Sequence, residues 1–548
     1  MAVVDSAFVG HVHALRLALT DPRFDACAVT GALAVRGGAH AARAALDEVA
    51  ALEPGALGTG PYPDRLAAAV EGSGTAVQRP ELGTLVAAVP VGEAERESAV
   101  AAVAAVDDEA VRLRTAVKSR DGFFTTFFIS PYSRYIARWC ARRGLTPNQV
   151  TTASLITALI AAGCAATGDR WGYVAAGVLL LVSFVLDCTD GQLARYSLQY
   201  STMGAWLDAT FDRAKEYSFY AGLALGAARD GDDVWALALG AMILMTCRHV
   251  VDFSFNEANH DATANTSPTA ALSDRLDSVG WTVWVRRMII LPIGERWAMI
   301  AVLTALTTPR TVFYALLIGC AFGALYTTAG RVLRSLTRKA TRTDRAARAL
   351  ADLADSGVLA WTGYPVPGKR PDRAAVWLAA AGAVLMAGGA ATRDFGDPWL
   401  IGTAVAYATL SAAALARPLK GPLDWLIPPL FRFAEYVTVL ALAAKSDVPG
   451  ALPAAFGLVA AVAYHHYDTV YRIRGGSGAP PHWLVRTTGG HEGRVLLTVV
   501  LATVLARDAF PVALTATAVF VALVVLVESI RFWVSAGAPA VHDEGEPA

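Results

Sequence analysis

Four carboxylates at the ends of two neighbouring apolar segments carry the strongest chemical signal in the sequence. They lie in the stretch Asp187–Asp212, which reads DCTDGQLARYSLQYSTMGAWLDATFD. Asp187 and Asp190 are three residues apart and Asp208 and Asp212 are four apart, so each pair shares one face of a predicted helix. The short connection between the segments predicts an antiparallel hairpin, which brings both pairs to the same membrane depth. Charged side chains in a membrane segment are costly and therefore indicate a functional site.

Such a carboxylate cluster predicts a site for divalent metal ions. Four carboxylates that face one another do not all stay ionised unless cations accompany them. Ligands that offer only oxygen select hard cations, here Mg²⁺ or Mn²⁺. Two such ions can neutralise a pyrophosphate and stabilise charge in an in-line displacement at phosphorus. The alternative is a set of buried structural ion pairs, for which the sequence offers too few cationic side chains nearby.

The composition indicates a membrane protein with some soluble mass. Of the 548 residues, 55% are hydrophobic and 17% are charged, whereas a soluble domain carries about 25% charged residues. The mean hydropathy is +0.42. Lys and Arg (47) balance Asp and Glu (47), so no basic excess suggests nucleic acid as a partner. The six cysteines form no CxxC pair, which argues against a zinc site or a disulfide framework.

Six apolar segments form a first membrane block, predicted together with the residues before it as a domain over 118–338. Basic residues precede the first segment and follow the sixth, which places both ends on the cytoplasmic side. Before the block, Ser130–Arg143 predicts an amphipathic helix at the membrane interface. The segments, which must span about 30 Å of hydrocarbon, are roughly Asn148–Ala166, Gly172–Leu193, Met203–Leu225, Val234–Phe255, the short Trp297–Thr307 and Val312–Val332.

Three further parts complete the predicted organisation of a mainly α, polytopic chain. Residues 1–117 carry strand-like apolar runs and a helical stretch, typical of a small α/β domain, but no Gly-rich phosphate loop. Residues 339–372 form a basic cytoplasmic linker. Residues 373–548 hold about six more apolar segments and predict a second helical membrane domain.

A crowded polar stretch lies between the fourth and fifth apolar segments of the C-terminal part. It is interpreted either as a second site or as a solvated cytoplasmic loop, and we favour the loop. Two adjacent histidines point in different directions on a helix, which weakens a zinc site. The residues are His465, His466, Asp468, Arg472, Arg474, His491, Glu492 and Arg494.

The spacing DxxDGxxAR, then eight residues, then GxxxDxxxD resembles the signature of the CDP-alcohol phosphatidyltransferase family. This resemblance implies a six-helix membrane fold, a homodimer, and displacement of CMP from a CDP-linked donor such as CDP-diacylglycerol by an alcohol. All eight signature positions are filled, by Asp187, Asp190, Gly191, Ala194, Arg195, Gly204, Asp208 and Asp212.

The resemblance also implies roles for individual residues. Asp187, Asp190 and Asp208 would hold two Mg²⁺ or Mn²⁺ ions, and Asp212 would complete the metal site and act as general base on the acceptor hydroxyl. The implied nucleotide-binding residues are Asn148, Asp190, Gly191, Ala194, Arg195 and Gly204. For Asn148 the alternative is a plain proline turn and helix cap.

The acceptor is expected to be a polyol such as an inositol phosphate. The segment Lys118–Gly122 and the pair Asp212-Arg213 resemble the branch of the family that handles inositol phosphates. Such an acceptor needs cationic side chains beside the metals, for which Arg213, Arg248 and Arg296 are candidates. The alternative is that these arginines extend to the membrane interface.

The same resemblance extends to the two flanking parts. In the inositol-phosphate branch a nucleotidyltransferase domain can precede the membrane domain, and residues 1–117 resemble the end of a degenerate domain of that kind. Residues 373–548 resemble an uncharacterised membrane extension of high-GC bacterial relatives, which implies no activity.

The expected function is a plasma-membrane transferase of phospholipid synthesis with its site on the cytoplasmic side. About twelve segments in two blocks also invite a transporter, but the second block has no DxxDG counterpart. A catalytically silent nucleotide-binding scaffold is a third hypothesis, and the complete carboxylate set argues against it. Release of CMP distinguishes the enzyme from both alternatives.

Overall fold

The chain is a predominantly helical, multi-pass membrane protein with a small strand-containing N-terminal region, which confirms the predicted fold class. Among the described residues, seven helices are long and apolar enough to cross a membrane. The computed structural model describes residues 1–20, 26–35, 47, 60–72, 77–118, 121–199, 201–260, 263–266, 290–337, 339–361 and 374–535.

The N-terminal region packs helices against short antiparallel strands. The first, fourth and third strands form one sheet in that order, and the second and fifth form another. The helical stretch predicted over residues 93–117 is two helices, because Asp107 caps the second by accepting a hydrogen bond from the backbone N–H of Ala110 at 3.0 Å. The elements are β1 Ala2–Val4, β2 Val9–Gly10, α1 Val12–Thr20, β3 Ala26–Val29, β4 Ala32–Val35, α2 Tyr62–Gly72, β5 Ala87–Ala88, α3 Glu93–Ala104 and α4 Asp108–Thr115.

The first membrane block begins with the predicted amphipathic helix and continues with six helices at the predicted segments. The first of the six starts at a capping box, in which Thr146 and Gln149 satisfy each other's backbone N–H groups and Pro147 occupies the first turn. The helices are α5 Ser130–Arg142, α6 Pro147–Ala165, α7 Arg170–Ser197, α8 Thr202–Arg229, α9 Trp235–Asn259, α10 Ile293–Leu306 and α11 Pro309–Thr337, with β6 Thr263–Thr266 paired to β7 Lys339–Thr341.

Helix α6 packs closely against both α7 and α8, which hold the two carboxylate pairs. Two glycines one turn apart on α8 allow its backbone to approach α6. A Cβ atom at Gly222 would lie 2.4 Å from the carbonyl oxygen of Ala162, and one at Gly226 would lie 2.1 Å from that of Ala165. Small residues at this spacing are typical of tight helix contacts in membranes.

The C-terminal part forms a second helical block whose buried core is continuous with that of the first. Two short helices lie in the segment predicted as a linker, and the longer one packs against α9. The helices are α12 Asp344–Ala354, α13 Val358–Trp361, α14 Ala374–Thr392, α15 Trp399–Leu415, α16 Ile427–Ser446, α17 Ala451–Arg474, α18 His482–Thr488, α19 Gly490–Val504 and α20 Phe510–Ser535.

Candidate active site

The site lies where α7 ends and α8 begins. Leu198 ends α7 in the left-handed backbone conformation, and Ser201 caps α8 by accepting a hydrogen bond from the backbone N–H of Gly204 at 2.9 Å. This tight connection makes the two helices a hairpin. Asp190 is buried near the end of α7, and Ala194 lies half-buried one turn later.

Three of the four predicted carboxylates form one cluster. Asp187, Asp208 and Asp212 each offer one oxygen, and these oxygens all lie within 4.8 Å of one another. Asp190 is only 4% exposed, and its Oδ2 finds no hydrogen-bond partner among the described residues. A buried carboxylate oxygen without a partner is costly, whereas a cation would satisfy it.

A buried lysine on α8 also belongs to the site, and the sequence analysis missed it. Lys215 is 1% exposed, and its ammonium group contacts Asp187, Asp212 at 2.8 Å and Ser154 at 3.3 Å. It also lies 5.8 Å from the ring centre of Trp297. The expectation of too few cationic side chains near the carboxylates therefore overlooked this lysine. The rule that singled out the aspartates, an ionisable residue inside an apolar helix, applies equally to this lysine.

The charge balance still favours metal ions. Four ionised carboxylates still outnumber the three cationic side chains that interact with them, Lys215, Arg213 and Lys118. Charges in such a buried place require compensation. Oxygen donors at this spacing suit divalent hard cations, so the residues present fit the predicted metal site.

The structure brings the predicted nucleotide-binding residues into two pairs. A Cβ atom at Gly204 would lie 2.8 Å from Asn148 Oδ1, so the start of α8 touches the start of α6. The atoms nearest to a Cβ at Gly191 would be those of the Arg195 guanidinium, at 3.5 Å or more, so Gly191 and Arg195 lie side by side. The Nε–H of Arg195 donates to a backbone carbonyl just after α4, at 2.6 Å.

The three candidate acceptor arginines are buried rather than extended to the membrane interface. Arg213, Arg248 and Arg296 are 8%, 6% and 3% exposed. Glu216 links two of them, because its carboxylate contacts Arg213 Nη1 at 2.7 Å and Arg296 Nε at 3.3 Å. Arg248 donates to the carbonyl of Ile290 at 2.5 Å. The interpretation of these residues as interfacial is therefore wrong.

The polar stretch of the C-terminal part is not a solvated loop. Its histidines and all but one of its charged residues are buried on α17 and α19, with Arg474 half-buried. Part of it surrounds Asp355, which follows α12 and contacts His465 at 3.0 Å, Arg432 at 2.9 Å and Arg494 at 2.7 Å. Burial by itself raises the pKa of Asp355, but the two guanidiniums outweigh it and hold this pKa well below its usual range.

Comparisons with known proteins agree with the carboxylate signature. Residues 144–326 match the family described as CDP-alcohol phosphatidyltransferase, and residues 344–548 match a family of unknown function, DUF5941. An archaetidylinositol phosphate synthase from Pyrococcus horikoshii is 32% identical over 113 residues, 21% of this chain and 58% of the relative. A phosphatidylinositol phosphate synthase from Streptomyces avermitilis is 32% identical over 131 residues, 22% of this chain and 51% of the relative.

A third relative is named as a bifunctional protein. The bifunctional IPC transferase and DIPP synthase from Aquifex aeolicus is 31% identical over 114 residues, 21% of this chain and 26% of the relative. The chain thus spans between about a quarter and somewhat more than half of the length of these relatives. Residues 144–326, which hold the four aspartates, therefore form a CDP-alcohol phosphatidyltransferase domain.

Proposed function

We propose that this protein is an integral-membrane transferase that displaces CMP from a CDP-activated lipid by an alcohol acceptor, in the synthesis of phospholipids. The observation that carries the proposal is the carboxylate cluster of α7 and α8, in which Asp190 keeps a buried oxygen without a partner. Neither a structural ion-pair network nor a membrane transporter requires a carboxylate cluster with an unpartnered buried oxygen.

Each of the four aspartates can be given a role in the reaction. Two divalent cations held by Asp187, Asp190, Asp208 and Asp212 would neutralise the pyrophosphate of the donor and stabilise charge at the reacting phosphorus. Asp212 takes the proton from the acceptor hydroxyl, whose oxygen forms a bond to the phosphorus that carries the lipid. The bond from that phosphorus to the bridging oxygen breaks, and CMP leaves with the electron pair.

We assign the nucleotide end of the donor to Gly191, Gly204 and the residues beside them. Gly191 has no side chain, so the donor can approach the backbone closely beside Asp190, whereas Gly204 allows Asn148 to approach α8. Asn148 lies against Gly204 and offers an amide for the cytidine part, and Arg195 offers a charge-assisted donor for phosphate.

The acceptor is proposed to be an inositol phosphate. Arg213 interacts electrostatically with Asp212 and shares Glu216 with Arg296, and Arg296 Nη2 finds no hydrogen-bond partner among the described residues. A buried guanidinium with a free N–H group favours a phosphate. Three relatives of this chain are named archaetidylinositol phosphate synthase, phosphatidylinositol phosphate synthase, and bifunctional IPC transferase and DIPP synthase.

The setting of the enzyme follows from sequence and resemblance. Basic residues before α6 and after α11 support a site on the cytoplasmic side, and we assign the enzyme to the plasma membrane. The family resemblance supports a homodimer. We assign the N-terminal region, which resembles a degenerate nucleotidyltransferase domain, a supporting role.

The experiment is CMP release by the purified full chain in detergent, with CDP-diacylglycerol, Mg²⁺ and a panel of acceptors. The panel contains inositol 1-phosphate, glycerol 3-phosphate and serine. Asp212→Asn should abolish release. The matched control is Asp230→Asn, which changes an exposed aspartate just after α8, about 27 Å along the helix axis from the site, and should leave release unchanged.

Metal binding is tested without reference to turnover. Thermal unfolding in EDTA is compared with unfolding in Mg²⁺ or Mn²⁺, for the wild type and for Asp190→Asn. The wild type should gain stability from either ion, and the variant should gain much less. Equal gains in both proteins would contradict the assignment of Asp190 as a metal ligand.

A further inference from the structure

The C-terminal domain packs directly against the helix that carries the general base. Helix α17 contacts both α8 and α9. Tyr467 lies in the C-terminal half of α17 and is 4% exposed. No aromatic periodicity in the sequence singles it out, because its partners are more than 200 residues away.

Tyr467 contacts two residues that adjoin the candidate acceptor pocket. The guanidinium of Arg213 lies over its ring, 5.2 Å from the ring centre. Its hydroxyl group forms a hydrogen bond with Nδ1 of His249, the residue after Arg248. The ring edges of Tyr467 and Phe253 also meet, with ring centres 6.4 Å apart. One side chain of the C-terminal domain therefore fixes groups on both α8 and α9.

Arg213 is held from two sides. Glu216 binds its Nη1 at 2.7 Å, and the Tyr467 ring covers its face. The Arg213 guanidinium also interacts electrostatically with Asp212, the candidate general base. Without the ring, the guanidinium would lose a cation–π contact that is strongest where water is excluded, and it could turn away from the acceptor.

We propose that Tyr467 is a positioning residue that holds Arg213 in the orientation which binds the acceptor phosphate. The C-terminal domain then forms a wall of the acceptor pocket, and phosphate-bearing acceptors depend on it for binding. This inference rests on the proposed function, since it assigns a second domain to the same site. Tyr467 itself does not touch the reacting atoms.

The alternative is that Tyr467 only stabilises the packing of the C-terminal domain against the first membrane block. The same pair of helices offers a matched control for that alternative. Phe456 of α17 packs edge-on against Trp235 of α9, with ring centres 5.6 Å apart. This contact joins the same two domains through aromatic rings and involves no charged group.

The test uses full-length Tyr467→Leu, Tyr467→Phe and Phe456→Leu, with CMP release measured at varied acceptor and varied donor. Tyr467→Leu should raise the KM for inositol 1-phosphate roughly thirtyfold, which corresponds to about 2 kcal/mol for a desolvated cation–π contact. Its KM for CDP-diacylglycerol should stay unchanged. Tyr467→Phe keeps the ring and should raise the acceptor KM less than about threefold. Phe456→Leu should lower thermal stability but leave both KM values as in the wild type.

Two results would overturn the inference. One is an unchanged acceptor KM in Tyr467→Leu, and the other is an equal rise in Phe456→Leu. Calorimetric binding of inositol 1-phosphate in the presence of Mg²⁺ separates this inference from the proposed function. A wild type that binds the phosphate but releases no CMP would refute the transferase, while weaker binding by Tyr467→Leu would still support the positioning role. A wild type that does neither refutes both.

Discussion

Lys215 is the counter-charge of the carboxylate cluster, and replacing it by methionine should make the stability of the protein depend on divalent cations. Methionine is unbranched and of similar length, so it fills a similar volume while removing the ammonium group. The lysine is 1% exposed and touches two carboxylates, one of them Asp212 at 2.8 Å. Without it, Asp187 and Asp212 lose the ammonium group that contacts both of them.

The size of the effect follows from burial. Removing one partner of a buried ion pair costs about 3–5 kcal/mol. For a domain of roughly 200 residues, each 1 kcal/mol shifts Tm by about 2–4 °C. In EDTA we therefore expect Tm of Lys215→Met to fall by roughly 10 °C. Divalent cations supply the lost positive charge, so the rise in Tm on adding Mg²⁺ should be larger in the variant than in the wild type.

The assay is thermal unfolding of the full chain in detergent, in EDTA and across a series of Mg²⁺ concentrations. Lys420→Met is the control, because Lys420 pairs with Asp344 at 2.7 Å on the exposed surface. Exposed pairs contribute little, so its Tm should not change in either condition. If Lys215→Met unfolds like the wild type in EDTA, or gains nothing from Mg²⁺, the account of the charge balance is wrong.

Two further predictions concern the packing that surrounds the site. Gly226→Leu places a side chain where a Cβ atom would already lie 2.1 Å from the carbonyl of Ala165, so α6 and α8 must separate; we expect loss of monodisperse protein in size-exclusion chromatography and of CMP release. Asp355→Asn should destabilise the protein at neutral pH, because Arg432 and Arg494 hold the pKa of the carboxyl below its usual range. That contribution is fully present above the unfolded pKa of about 4 and is lost as the pH falls through the lowered folded pKa. Unfolding measured from pH 7 to pH 3 should show the two proteins converging at acidic pH, and a gap that stays constant or widens there would contradict it.

The signature residues could be predicted from the sequence because they depend on local periodicity. The spacing of Asp187 and Asp190, and of Asp208 and Asp212, places each pair on one face of a helix. Because the first helix ends at Leu198 and Ser201 caps the second, the two pairs lie near each other. The six segments of the first block were predicted to within a few residues, because apolar length is a strong signal in membrane proteins.

What the sequence did not predict depends on contacts between distant residues. Asp355 lies in a segment whose basic composition resembles a linker, yet it is buried against helices more than 70 residues later. The histidines of α17 were interpreted as part of a loop because polar side chains are usually exposed, but these are buried. Buried polar groups that satisfy one another cannot be distinguished from solvated ones by composition.

The most direct test of the central claim is acceptor-dependent CMP release by the purified full chain with CDP-diacylglycerol and Mg²⁺. The account predicts release that requires inositol 1-phosphate, disappears in Asp212→Asn, and persists in Asp230→Asn. Release without an acceptor, or release that survives in Asp212→Asn, would contradict it.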